Sequence, residues 1–116
     1  MKVRITPLQY EMLDHRLSIP DCIAEALNDN GNPDHAKEGD VESEAHDLSE
    51  AARRGSIDMA KLSPLALDVL WDSLDGSTYL GMEEDNVSDR KWQGLNRSFD
   101  NLCDKFEAAG LPKIGR

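Results

Sequence analysis

The sequence predicts a mainly α-helical domain, a compact bundle of four to five helices with a minor two-stranded β ribbon. Apolar residues recur at three- and four-residue steps through most of the 116-residue chain, as on the buried face of a helix. A Thr-Pro pair and a Ser-Pro pair precede two of these stripes, and glycines follow several, as at helix starts and ends. The length fits a single domain, 1–116. The alternative is a small α+β fold in which the first strand belongs to a larger sheet.

The first elements are a strand and a capped helix. Residues 2–5 alternate polar and apolar, which is typical of a half-buried strand. This strand needs a partner for its backbone groups, and residues 77–80 or a second copy of the chain are the candidates. Thr6-Pro7-Leu8-Gln9 then predicts a capping box that opens a helix ending near Leu17. Its predicted buried stripe is Leu8, Met12, Leu13 and Leu17.

A second helix and a loop follow. Ser18 is the predicted cap, Pro20 lies in the first turn, and the predicted apolar face is formed by Ile19, Ile23, Ala26 and Leu27. Residues 28–40 combine turn-forming residues with acidic ones, so we expect an exposed acidic loop there.

Two helices are predicted in the middle of the chain. One runs from about Val41 to Arg54, with a thin apolar stripe, and Gly55 ends it. Ser56 is then expected to cap a short turn. Ser63-Pro64 opens the most apolar segment, which ends at Gly76 and is expected to form the central helix.

The last helix is predicted from a cap at Ser88 to Gly110. Its apolar residues alternate at three- and four-residue steps: Trp92, Leu95, Phe99, Leu102, Phe106 and Ala109. We expect this stripe to pack into the core rather than to form an exposed dimer seam. The oligomeric state, monomer or homodimer, stays open at this stage.

The net charge of −10 limits the classes of partner. A surface of this sign repels DNA, RNA and anionic lipid, so we expect no direct nucleic-acid binding and a basic protein partner instead. No apolar run approaches the roughly 18 residues needed to cross a bilayer. Cys22 and Cys103 form no pairing pattern and are expected to be reduced core thiols of a cytoplasmic protein.

No motif for catalysis or for a cofactor is present. Residues 28–39 resemble a calcium loop only superficially, since Pro33 replaces the turn glycine and Gly39 the bidentate glutamate. His15, His35 and His46 lack the spacing of paired metal ligands. We therefore predict a non-enzymatic protein with no metal or cofactor. The alternative is a small metal-dependent or hydrolytic enzyme.

The acidic residues of the middle of the chain provide the candidate partner-binding site. Between residues 29 and 50 lie eight carboxylates and one basic residue, Lys37. Such a band can occupy a basic groove, as a nucleic-acid mimic does, or inhibit a nucleic-acid-binding protein; the alternative is a merely solvated face. The predicted contact residues are Asp40, Glu42, Glu44, Asp47, Glu50, Glu83, Glu84 and Asp85. In size and charge the chain resembles the compact acidic helical proteins of phages and prophages, some of which inhibit nucleases.

Overall fold

A computed structural model describes residues 2–29, 38–75 and 89–115. Within these ranges the fold consists of five α-helices and a two-stranded antiparallel sheet, so the prediction of a helical bundle with a minor β ribbon is confirmed. The strands are β1 (Lys2–Arg4) and β2 (Ser56–Asp58). The helices are α1 (Pro7–Leu17), α2 (Pro20–Asp29), α3 (Glu38–Arg53), α4 (Pro64–Leu74) and α5 (Asp89–Ala108). A 3₁₀ turn, Met59–Lys61, leads from β2 towards α4.

The sheet joins the first strand to the middle of the chain. Strand β1 pairs with β2 so that Val3 lies opposite Ile57, and both side chains are buried. The expectation that Ser56 caps a turn was therefore wrong, because Ser56–Asp58 is extended. This partner was not predicted; the segment that was suggested, 77–80, lies outside the described residues. Strand β2 alternates polar, apolar and polar over only three residues, Ser56–Asp58.

Helix α1 begins with the predicted capping box. The Thr6 hydroxyl accepts a hydrogen bond from the Gln9 N–H at 3.2 Å, and the Gln9 side chain accepts one from the Thr6 N–H at 3.1 Å. The predicted stripe needs one correction. Leu8 is 37% exposed, whereas Gln9 is 1% exposed. The amide of Gln9 is tolerated in the core because hydrogen bonds satisfy it, as described below.

The corner between α1 and α2 differs in detail from the prediction. Ser18 does not cap α2; its hydroxyl donates to the His15 carbonyl at 2.9 Å and so closes the end of α1. Ile19 precedes α2 and is exposed, while Ile23 and Ala24 are the buried residues of that helix. Helix α2 extends to Asp29 and α3 starts at Glu38, so both helices enter the range predicted as a loop. Residues 30–37 lie outside the described residues.

Helix α3, not α4, is the most central element of the described fold. It packs against α1, α2, α4 and β2. Its stripe of small and medium apolar side chains is fully buried: Val41, Ala45, Leu48 and Ala52. Small side chains let neighbouring helices approach closely, which explains why a thin stripe suits a central helix. Gly55, at a φ of +103°, ends the helix and accepts the Ile5 N–H at 2.8 Å through its carbonyl.

Helix α5 contributes the largest buried side chains, as predicted for a core helix. Leu95, Phe99, Leu102 and Phe106 are all buried. The helix ends in a Schellman motif, in which the N–H of Leu111 donates to the Phe106 carbonyl and the N–H of Gly110 to the Glu107 carbonyl, each at 3.1 Å. Gly110 has a φ of +116°, which favours glycine. The predicted cap Ser88 and the side chain of Trp92 lie outside the described part.

The two cysteines have different environments. Cys103 is completely buried on α5, as expected of a core thiol. Cys22 is exposed on α2, so its prediction as a core residue was wrong. Both cysteines are free thiols.

Candidate functional site

Three of the predicted contact residues lie in a row along one side of α3. Asp40, Glu44 and Asp47 are spaced by four and then three residues, which places them on the same flank of a helix. Successive positions are about 6 Å and about 4.5 Å apart along the helix axis. Asp40 and Asp47 are exposed and Glu44 is half-buried. We call these three residues the acidic flank.

The acidic flank has no cationic partner within the described residues. No salt bridge there involves Asp40, Glu44 or Asp47. Glu44 accepts only a long hydrogen bond, 3.4 Å, from the Ser63 hydroxyl. Asp40 also lies in the first turn of α3, where the helix dipole favours negative charge. The flank thus combines a contribution to helix stability with two exposed carboxylates and one half-buried carboxylate.

The other two predicted residues on α3 point elsewhere. Glu42 lies on the opposite flank, beside a shallow depression also lined by Asp14 and His46. Glu50 accepts a hydrogen bond from the Arg53 guanidinium at 2.6 Å, and this bond holds the pKa of Glu50 below its usual value. The structure therefore brings together three of the five carboxylates rather than all of them. Glu83, Glu84 and Asp85 lie outside the described residues.

A groove of about 370 Å³ runs beside the acidic flank, between α3 and the chain from β2 to the 3₁₀ turn. We call it the strand-side groove. Its apolar surface is formed by Leu48, Ala51, Ile57 and Leu62. Its polar and charged surface is formed by Glu44, Asp47, Arg54, Ser56, Asp58 and Lys61. An apolar surface edged by charge can hold an apolar side chain while orienting a charged one.

Sequence reasoning did not identify the residues of β2 and the 3₁₀ turn as part of this site. Asp58 caps the 3₁₀ turn through a hydrogen bond from the Ala60 N–H at 3.2 Å, which places its carboxylate beside the groove. The polar-apolar-polar pattern of residues 56–58 was the available signal. Three residues are too few to distinguish a strand from a turn by periodicity alone.

A partly buried polar network joins both ends of the described fold. The Gln9 side-chain nitrogen donates to the Ser98 carbonyl at 3.0 Å, and the Gln9 side-chain oxygen accepts from Lys105 Nζ at 2.9 Å. Lys105 Nζ also donates to the Arg4 carbonyl. Burial lowers the pKa of Lys105, and the positive charge of Arg4 lowers it further. These bonds hold β1 and α1 against α5.

A second buried polar group is Asp72, in the otherwise apolar α4. Its side chain is 8% exposed and lies 3.8 Å from the Arg16 guanidinium of α1. Burial raises the pKa of Asp72, the Arg16 charge opposes this increase, and Asp75 adds to it. The carboxyl group therefore costs more to ionise in the folded protein than in the unfolded chain.

We expect Asp72 to make folding stability depend on pH in a defined direction. A carboxyl group whose pKa is raised by folding holds its proton more tightly in the folded state. Its stabilising contribution is therefore complete below the unfolded-state pKa and is lost as the pH rises through the folded-state pKa. As the pH rises from below the ordinary pKa of an aspartate, about 3.9, through the higher folded-state pKa of Asp72, the free energy of unfolding of the wild type minus that of Asp72→Asn should fall, as measured by urea denaturation. If this difference stays constant over the same pH range, the pKa of Asp72 is not raised by folding.

Among residues 2–29, 38–75 and 89–115, no three His, Cys, Asp or Glu side chains are placed to hold a metal ion together. No helix in those ranges has both the length and the apolar character required to cross a membrane. His15 and His46 are exposed, and His35 lies outside the described residues.

Comparisons with known proteins add no family to this description. No protein-family model, no curated protein and no solved structure matches the chain.

Proposed function

We propose that this protein is a non-enzymatic binding protein that uses the acidic flank of α3 to bind a basic partner protein. The observation that carries the proposal is the row formed by Asp40, Glu44 and Asp47. These carboxylates have no cationic partner among the described residues, and the central helix that carries them is fixed by packing against four other elements.

The rigidity of the flank supports a binding role. A preorganised row of charges loses little conformational entropy when a partner binds, so more of the electrostatic attraction remains as affinity. The net charge of −10 extends the same field around the molecule and accelerates the approach of a basic partner. By contrast, Glu50 already pairs with Arg53, so we assign it no more than a secondary role.

The partner class that we favour is a nucleic-acid-binding protein of the cytoplasm. Such proteins carry basic grooves that neutralise phosphates, and a row of carboxylates can occupy the same positions. On this proposal the protein acts as a nucleic-acid mimic or an inhibitor. The same net charge disfavours direct binding of DNA or RNA by this chain.

The proposal is tested by pull-down from a lysate of the native cell, with proteins identified by mass spectrometry. We expect the wild type to enrich a basic protein and the triple variant Asp40→Asn, Glu44→Gln, Asp47→Asn to lose it, because the attraction depends on these carboxylates. The matched control changes three exposed carboxylates elsewhere, Glu11→Gln, Asp21→Asn and Glu25→Gln. Its net charge is the same, so it should retain the partner.

Two results would contradict the proposal. One is equal capture by the flank variant and the wild type; the other is loss of capture by the control as well, which would indicate a general effect of charge. Added duplex DNA should compete with this protein for the captured partner, and the competition should weaken steeply as salt increases. Capture that DNA does not affect would exclude the mimic and leave a basic partner of another kind.

A further inference from the structure

The hydrogen-bonding phase of the sheet determines which backbone groups of β2 face away from β1. Ile5 and Gly55 are opposite residues, and the Ile5 N–H donates to the Gly55 carbonyl at 2.8 Å. Bonded and non-bonded pairs alternate in an antiparallel ladder, so Val3 and Ile57 form the next bonded pair. Arg4 and Ser56 form the non-bonded pair between them. Consistent with this phase, the Arg4 carbonyl faces outward and accepts from Lys105.

Ser56 therefore directs its backbone N–H and carbonyl to the outer edge of β2. Neither group has a hydrogen-bond partner within the described ranges. Ser56 is half-buried and lines the strand-side groove, so this edge lies beside the groove. An edge strand with an unused donor and acceptor is a template for another extended chain.

The two walls of the groove run in opposite directions. One wall runs from Glu44 in α3 to Arg54, the residue after the helix, a length of about 15 Å at the rise of a helix. The other wall is the chain that leaves β2 and returns along α3, since Ser63 lies within hydrogen-bond distance of Glu44. The carboxylates Glu44, Asp47 and Asp58 outnumber the cations Arg54 and Lys61 along these walls. An extended chain of five residues has a similar length, about 17 Å.

We propose that the strand-side groove binds an extended basic segment of the partner as a third strand on the outer edge of β2. This inference rests on the proposed function, whose acidic flank supplies Glu44 and Asp47. One residue of the segment pairs with Ser56 through two backbone hydrogen bonds. A basic side chain two residues away lies on the Asp58 face of the sheet, near the carboxylates. The intervening apolar side chain lies on the Ile57 face, against Leu48, Ala51 and Leu62.

The probe is a blocked pentapeptide of alternating lysine and leucine, Lys-Leu-Lys-Leu-Lys, with binding measured by calorimetry on the full chain. In an added strand, residues on one face point all their N–H groups to the same edge. Lysine shares the face of Ser56 and Asp58, so methylation of the lysine N–H groups should weaken binding about tenfold or more. Methylation of the leucine N–H groups, which point to solvent, should leave the affinity within about threefold.

A protein variant tests the electrostatic part of the same site. The double variant Glu44→Gln, Asp47→Asn should weaken binding of the parent peptide about tenfold or more. The control Asp21→Asn, Glu25→Gln changes two exposed carboxylates of α2, has the same net charge and should bind like the wild type. Circular dichroism of both variants establishes that the helices are retained.

The possible outcomes distinguish this inference from the proposed function. If methylation of the lysine and of the leucine N–H groups changes the affinity equally, strand addition is overturned. If the double variant Glu44→Gln, Asp47→Asn still weakens binding in that case, the acidic flank remains the binding site. No binding of the parent peptide would also overturn it, whereas the lysate pull-down judges the proposed function independently. Two results together would support strand addition and the acidic flank: weaker binding of the lysine-methylated peptide alone, and weaker binding of the parent peptide by the double variant Glu44→Gln, Asp47→Asn.

Discussion

Replacing Phe106 with alanine should destabilise the protein by about 3–5 kcal/mol, the largest effect that we expect from a single substitution. Phe106 is 0% exposed and is the largest of the completely buried side chains. Its removal loses the transfer free energy of the ring and leaves a cavity that the surrounding helices fill only in part. Since domains of this size are stable by only about 5–15 kcal/mol, the variant should unfold at a much lower urea concentration.

The control for this prediction is Leu8→Ala on α1. Leu8 is 37% exposed although it is a large apolar residue, so its truncation removes less buried apolar surface and should lower the free energy of unfolding by only about 1 kcal/mol. If both variants lose a similar amount of free energy of unfolding, the exposure of the side chain in the folded state does not determine that loss.

Replacing Gln9 with leucine should cost about 1–3 kcal/mol, although leucine has a similar volume and is more apolar. The substitution removes the acceptor of the Thr6 N–H and of Lys105, and the donor to the Ser98 carbonyl. Polar groups that are left without partners in a partly buried setting lose the solvation that they have in the unfolded chain. Urea denaturation measures the effect.

A double-mutant cycle with Lys105→Met separates the network from simple packing. We expect a coupling energy of about 0.5–3 kcal/mol between Gln9→Leu and Lys105→Met, since the two side chains share a hydrogen bond. Lys113→Met, at an exposed position of the C-terminal segment, should show no coupling with Gln9→Leu. Additive effects in the Lys105 cycle would contradict a direct energetic role for the bond.

The parts of the fold that depend on local signals were predictable from the sequence. The capping box at Thr6, the Ser63-Pro64 start of α4 and the glycine end at Gly110 all act over a few residues, and the structure contains each of them. The stripe of α3 was also correct, because a four- and three-residue repeat has one helical interpretation.

The parts that depend on long-range contacts were not predictable. The partner of β1 is separated from it by more than fifty residues, and its own pattern is too short to identify. Gln9 and Asp72 are polar and would be expected at the surface, yet both are buried. Hydrogen bonds with Lys105 and the Ser98 carbonyl satisfy the side chain of Gln9, whereas the Arg16 charge offsets only part of the cost of burying Asp72. Which helix is central likewise follows from packing, since α4 is the more apolar and α3 makes contact with more elements.

The composition of the candidate site was predictable from the sequence, and its arrangement only in part. The sequence indicated that α3 carries an excess of acidic residues, and helical spacing alone assigns Asp40, Glu44 and Asp47 to one side. It did not indicate that Glu50 would pair with Arg53. The groove beside the flank requires the antiparallel return of the chain after Gly55, which no single segment encodes.

The bonds from α5 to the start of the described chain also bear on how the protein folds. Lys105 reaches Arg4 across 101 positions in sequence, and Gln9 reaches Ser98 across 89. Contacts between distant positions slow folding, because the entropy cost of closing a large loop comes before the native contacts that offset it. During synthesis, β1 and α1 emerge long before α5 is made, so the Arg4 carbonyl and the Gln9 amide form their hydrogen bonds to α5 only late. We therefore expect a slower folder than helical bundles that are dominated by neighbouring contacts.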